Sequence, residues 1–266
     1  MATSEPPVRR GNYVEAGGLH TYYEVSGHGE PLLLLHGGFC PVETFDGLTP
    51  RLAEAYRVYL PERRGHGRTP DPGGPITFEN MAQDTIAFMD AIDLSSAHLV
   101  GWSDGAVVAL HVALDRPDVV RRLVLIGTAV NLDGVTGEAR EMLQSGPTPD
   151  ILPPFLRELY AKVSPDGPEH FEVVFDKLTA TWKTDPSFEL SALERLATPT
   201  LVMLGDRDIV TVEHAAAVQR AIPDGQLAVV PGASHGLPME TPELVSRPVL
   251  AFLSASRDRA AARGGT

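Results

Sequence analysis

The strongest constraint on this chain is a set of short runs in which nearly every residue is apolar. The clearest is Leu32-Leu33-Leu34-Leu35. A strand with one wet face alternates apolar and polar side chains, whereas a strand covered on both faces is apolar throughout. Residues 31–35 therefore predict a strand buried on both faces. Further buried strands are predicted at 123–126 and 200–204, and other strands at 19–25, 56–60, 97–101 and 227–230. Between them lie segments of helical periodicity. Thr77 caps one in which Phe78, Met81, Ala82, Ile86, Met89 and Ile92 share a face. Asp104 to Leu114 is apolar almost all round, so it predicts a buried helix closed by Pro117. This alternation is that of an α/β fold, with a mostly parallel central sheet flanked by helices.

One stretch breaks the rhythm. From Thr128 to Thr198 there is no convincing strand, but helical patches fall at 136–144, 150–163, 168–182 and 187–196 among seven prolines. Such a segment is too long for a connecting loop. It predicts a helical cap, residues 128–198, over the C-terminal edge of a core formed by 12–127 and 199–253. Residues 1–11 and 254–266 are expected to be flexible tails. The last helix should begin at Thr241 with Pro242 in its first position, and Pro248 should kink or restart it near Ser246.

At 266 residues the chain can form a single domain with a large core, and 43% hydrophobic with 21% charged residues is ordinary for a soluble protein. A formal net charge of −13 argues against nucleic acid or an anionic membrane surface as partner. The lone cysteine, Cys40, excludes an intramolecular disulfide and fits a reducing compartment. With no apolar signal segment at the N-terminus, a cytoplasmic protein acting on a small-molecule substrate is expected. Oligomeric state is not legible.

The chemistry concentrates at strand ends. Gly101-Trp102-Ser103-Asp104-Gly105 stands where a buried strand turns into a buried helix. A Gly-x-Ser-x-Gly turn there forces strained angles on the serine, tolerates little bulk beside it, and lifts the hydroxyl clear of the sheet. Ser103 is the candidate nucleophile. A serine hydroxyl needs a base, and the base needs an orienting carboxylate. His235 lies in a small-residue loop directly after the last strand and is the candidate base. Asp208, in Gly205-Asp206-Arg207-Asp208, is the candidate acid. Asp206 directly follows the turn glycine and should turn outward, and Asp133 is the fallback. Gly38, in His36-Gly37-Gly38-Phe39, and Asp104 are the candidate donors of backbone N–H groups to an oxyanion, with His36 bracing the loop. Phe39 and Trp102 flank these groups and are candidate substrate contacts, although both are also ordinary core residues. Cys40 is assigned to packing, His111 to the core or to helix packing, and His20, His28, His98, His170 and His214 to incidental roles. No histidine–carboxylate spacing points to a metal, and no glycine-rich turn to a nucleotide cofactor.

With these pieces in order, residues 12–253 resemble the α/β-hydrolase family. The resemblance rests on His36-Gly37, Arg64-Gly65-His66-Gly67-Arg68, the serine turn, Gly205-x-x-Asp208, and His235 before Glu240-Thr241-Pro242-Glu243. It implies triad roles for Ser103, Asp208 and His235. Glu62 stands where the family pattern usually has Asp, which bears on loop bracing rather than on the triad. The Trp-Ser-Asp-Gly form of the turn is similar to valacyclovir-hydrolase-like esterases, where the acidic residue helps receive a substrate α-amino group. Asp104 is then a candidate substrate contact, against the simpler role of N–H donor and helix cap.

The expected reaction is cleavage of a small carboxylic ester or lactone through an acyl-enzyme. A carbon–carbon bond hydrolase uses the same triad. A biosynthetic cyclase or small-molecule receptor on the same fold is the reading from outside the hydrolases. Haloalkane dehalogenase and epoxide hydrolase are disfavoured, because their nucleophile is Asp.

Overall fold

The computed structural model describes residues 11–184 and 186–255. Eight strands form one sheet. β1 (Gly11–Ala16), β2 (Leu19–Ser26) and β3 (Glu30–Leu35) come first, followed by helix α1 (Thr49–Ala53), strand β4 (Tyr56–Pro61) and helix α2 (Phe78–Ala91). β5 (Ala97–Trp102), α3 (Asp104–Asp115) and β6 (Val120–Ile126) form the centre. Helices α4 (Gly137–Gln144), α5 (Pro154–Val163) and α6 (Phe171–Trp182) fill the interval before β7 (Thr200–Arg207). The chain closes with α7 (Val212–Ala221), β8 (Gly225–Ser234), α8 (Leu237–Glu240) and α9 (Pro242–Ser254).

The strand order is β1-β2-β4-β3-β5-β6-β7-β8. Pairings from β4 onward are parallel, and only β1–β2 and β2–β4 are antiparallel. β5 is buried along its whole length, and β6 is buried except at Arg121, as a sheet covered on both faces requires. The order reverses at β3, which lies between β4 and β5. In such sheets the usual ligand position is beyond the carboxyl ends of the strands at this reversal, here β3 and β5.

Several predicted boundaries move. β1 is absent from the sequence reading, and Gly11, assigned to a tail, is its first residue. This edge strand is mostly exposed, so it carries no apolar run. Its sequence signal is the Gly17-Gly18 turn, where both residues have positive φ and Ala16 pairs with Leu19. Ser254, also assigned to a tail, ends α9. α9 runs unbroken through Pro248, without the restart expected near Ser246. The carbonyl freed by the missing proline N–H belongs to Leu244, whose residue is 46% exposed, so water can take the bond. Val245, Val249, Phe252 and Leu253 meanwhile hold the helix to the core.

Between β6 and β7 the described residues contain helices and 3₁₀ turns, plus one isolated bridge from Val135 to Val210. Prolines delay the helix starts. Pro149 and Pro168 open 3₁₀ turns, and α5 and α6 begin only at Pro154 and Phe171. The segment 187–196 is 3₁₀ over Leu190–Arg195. α6 lies on the loop that follows β4. The buried Asp71 carboxylate accepts from His170 Nε2 at 2.9 Å and Lys177 Nζ at 2.5 Å, and the Asp71 N–H donates to Asp166 at 2.8 Å.

Glu62 opens that loop and organises it. Its fully buried carboxylate accepts from the Val42 N–H at 3.1 Å, from Arg68 Nη1 at 2.8 Å and from the Arg68 N–H. Burial pushes its carboxyl up to about 7, against the pull of Arg68. Gly67 has φ +54, and a Cβ there would meet the Glu62 carboxyl at 2.1 Å, so no side chain fits. Removing the carboxylate would leave the Val42 and Arg68 backbone donors unpaired, while the Arg68 guanidinium would keep Glu43 as its partner. With two buried donors left unsatisfied, Glu62→Ala should lose about 3 kcal/mol of unfolding free energy, read from the urea midpoint at unchanged slope.

Candidate active site

The parallel register brings the candidate residues together at the carboxyl ends of β3, β5, β6, β7 and β8. Ser103 follows β5 with φ 54 and ψ −123, a left-handed strain of about 1–3 kcal/mol held by its surroundings. Its N–H donates to the Ile126 carbonyl at 2.8 Å. The two glycines of the turn are there for close approach. A Cβ on Gly101 would lie 2.2 Å from the Gly105 oxygen, and one on Gly105 2.2 Å from the Leu35 oxygen.

Ser103 Oγ is 3.0 Å from His235 Nε2, and His235 Nδ1 is 2.8 Å from Asp208 Oδ1. The carboxylate can only accept, which places the imidazole proton on Nδ1 and leaves Nε2 free to accept from the serine. Asp208 Oδ1 also accepts the Val210 N–H at 3.1 Å. The alternatives lie elsewhere. Asp206 turns outward to accept the Gly232 N–H at 2.6 Å, and Asp133 is an exposed partner of Arg140 at 3.1 Å.

Beside the serine, a Cβ on Gly37 would lie 3.5 Å from Ser103 Cβ, so the Gly37–Gly38 turn is directly adjacent. The Gly38 N–H has no acceptor among the described residues. The Asp104 N–H belongs to the first turn of α3, where no intrahelical partner exists. His36 is buried and braces the turn, with Nδ1 2.8 Å from the Gly37 oxygen and Nε2 3.1 Å from the Arg63 nitrogen. The arrangement can draw a proton from Ser103, hold the imidazolium with Asp208, and offer N–H groups to an oxygen gaining negative charge.

Phe39 and Trp102 are both buried. Phe39 has φ +60 and packs against Phe171, Phe175 and Trp182 at 5.5–5.6 Å between ring centroids. Trp102 donates Nε1–H to the His235 carbonyl at 2.8 Å and so fixes the loop of the candidate base. Cys40 is buried, and burial pushes its thiol up to about 12, which leaves it a packing residue. His111 packs against Phe188 with the rings tilted and their centroids 4.7 Å apart. Among the described residues no group of His, Cys, Asp and Glu could hold a metal ion, and no helix is long and apolar enough to cross a membrane.

Two residues at the site escape the sequence reading. Gly127, at the end of β6, has φ +56, and a Cβ there would lie 3.0 Å from Asp208 Oδ2 and 3.3 Å from His235 Nδ1. A glycine directly after the run Leu123–Ile126 was its signal. Trp182 ends α6 and donates to both carboxylate oxygens of Asp104, at 3.0 and 3.1 Å. Its ring also lies against Gly38, where a Cβ would meet Cζ2 at 2.9 Å. Nothing local in the sequence marks that contact.

Residues 32–247 match the Alpha/beta hydrolase family, and the chain belongs to it. It is 29% identical to the 2-hydroxy-6-oxo-6-(2'-aminophenyl)hexa-2,4-dienoic acid hydrolase of Metapseudomonas resinovorans, over 94% of this chain and 93% of that one. Among solved structures, a meta-cleavage product hydrolase from Pseudomonas fluorescens IP01 is similar with a TM-score of 0.78 and 25% identity, covering 91% of this chain and 97% of that chain. A thermophilic esterase from Thermogutta terrifontis is similar with a TM-score of 0.73 and 25% identity, covering 92% and 98%.

Asp104 is only 6% exposed, and burial holds its carboxyl above the ordinary carboxylate range, while Arg63 and Trp182 pull it back. A carboxyl raised in the folded state contributes most below its unfolded value and loses that contribution as pH rises through the folded value. Asp104→Asn, neutral at every pH, should therefore be more stable than wild type at pH 7. The gap in urea midpoint should close towards pH 3, where the wild-type carboxyl is protonated in both states.

Proposed function

We propose that this protein is a serine hydrolase that cleaves a small carboxylic ester or lactone through an acyl-enzyme. The observation that carries this reading is the unbroken chain from Ser103 Oγ to His235 at 3.0 Å and from His235 to Asp208 at 2.8 Å, set on a strained strand–helix turn. His235 takes the Ser103 proton as the oxygen attacks the carbonyl, and Asp208 stabilises the imidazolium. The Gly38 and Asp104 N–H groups receive the oxyanion. His235 then protonates the leaving alcohol and activates the water that releases the acid. The helical segment between β6 and β7 serves as the cap that shapes the acyl pocket, with Trp182 reaching the residue next to the nucleophile.

Carbon–carbon bond hydrolysis is the second reading, favoured by the dienoic acid hydrolase and meta-cleavage product hydrolase among the similar proteins. It would use the same serine, base and acid. Reception of a substrate amine by Asp104 has less support, because Trp182 already donates to that buried carboxylate.

A fluorophosphonate probe should label the wild type and fail to label Ser103→Ala, and a folded wild type that resists labelling would sink the hydrolase mechanism and favour a receptor. Asp208→Asn should lower kcat by about 10⁴-fold through the wrong imidazole tautomer. A panel of esters, lactones and β-diketones, amino-acid esters among them, separates the readings. Preference for esters or lactones by kcat/KM supports the first, and turnover confined to diketones supports the second.

A further inference from the structure

We propose that Arg63 is a positioning residue for catalysis, clamping and polarising the Gly37–Gly38 peptide so that the Gly38 N–H faces the reacting oxygen. The proposal rests on the acyl-transfer reading above. The Gly37 carbonyl and the Gly38 N–H belong to one planar peptide unit and point in opposite directions. Whatever pins the oxygen therefore aims the N–H. Here the oxygen accepts from Arg63 Nη2 at 3.0 Å, from His36 Nδ1 at 2.8 Å and from the Cys40 N–H at 3.3 Å.

The clamp answers a specific weakness. The peptide is flanked by glycine on both sides, so neither residue resists a rotation that would swing the N–H away from Ser103. Bulk is excluded there. A Cβ on Gly38 would meet Asp104 Oδ2 at 2.6 Å, and one on Gly37 would meet Trp102 at 3.2 Å. Backbone stiffness has to come from outside the turn. The Arg63 N–H also donates to His36 Nε2 at 3.1 Å, which fixes the imidazole in the neutral Nδ1–H tautomer that donates to the same carbonyl. One residue thus governs two of the three donors.

Arg63 is poorly placed for stability alone. It is 3% exposed, and its Nε and Nη1 have no hydrogen-bond partner among the described residues. Buried donors on a cation are costly when left unpaired, and such groups call for an explanation beyond folding. The neighbouring Arg64, by contrast, makes a two-point bond to Asp84 at 2.5 and 2.8 Å. Burial lowers Arg63 only to about 10, so it stays cationic at neutral pH, with Asp104 favouring the charge. A guanidinium on the carbonyl side draws electron density along the peptide and makes the Gly38 N–H a stronger donor. It also offsets the Asp104 carboxylate, whose charge would oppose an oxyanion beside it.

The test compares wild type, Arg63→Met and Arg63→Gln on p-nitrophenyl acetate, with a trifluoromethyl ketone as a hemiketal-forming inhibitor. Losing one oxyanion donor outright costs about 100- to 1000-fold. Losing its alignment should lower kcat about 30-fold, with KM within twofold and the inhibition constant raised by the same factor as kcat falls. Arg63→Gln, which keeps a donor but no charge, should fall between. A merely structural arginine would change the urea midpoint without this parallel loss. A folded Arg63→Met with wild-type kcat, or with lowered kcat and unchanged inhibitor affinity, overturns the proposal alone. If Arg63→Met does not fold, the same comparison is read on Arg63→Gln. A wild type that neither turns over the ester nor is labelled by a fluorophosphonate overturns the acyl-transfer reading and the proposal with it.

Discussion

The geometry of the site depends on how closely α3 approaches the end of β3. The Gly105 Cα sits where any side chain would strike the Leu35 carbonyl, and Gly101 closes on Gly105 in the same way. That contact sets the start of the helix directly behind the strand that ends in His36-Gly37-Gly38. It therefore fixes the separation between the proposed nucleophile and the turn proposed to stabilise its product. Burial of β3, β5 and β6 makes the contact rigid, since their register at Leu35, Gly101 and Leu125 leaves no freedom to slide. The strain at Ser103 is sustained by this packing.

What was legible in the sequence follows from the same arrangement. Ser103, Asp208 and His235 each lie within four residues of a strand end, and the strands betray themselves by continuous apolar runs. Local pattern therefore finds each residue, and the order along the chain supplies the assembly. β1 stays hidden because an exposed edge strand has no such run. The unbroken α9 stays hidden because the cost of Pro248 depends on whether Leu244 meets water, a fact of tertiary structure. Trp182 and Arg63 lie at the opposite extreme from the triad. Each matters through a partner 78 or 26 residues away, and nothing beside it in the sequence announces the contact.

The proposed reacting groups and the aromatic residues packed beside them come from two different parts of the chain. The proposed serine, base, acid and N–H donors are supplied by strand ends and serve any acyl transfer equally. That is consistent with a fold whose similar structures include both a meta-cleavage product hydrolase and an esterase. The helices between β6 and β7 contribute no titrating group to the triad. They contribute the aromatic wall of Phe171, Phe175 and Trp182 against Phe39.

The indole bond from Trp182 to Asp104 joins these two parts at the residue next to the proposed nucleophile. Helix α6, already packed on the core through Phe171, Phe175 and Leu178, is thereby also tied to the residue next to the proposed nucleophile. Changes near the end of α6 that move Trp182 will therefore disturb the Asp104 carboxylate as well. A change at Trp182 takes the indole donor from the buried Asp104 carboxylate, so substitutions at these two positions should have coupled effects.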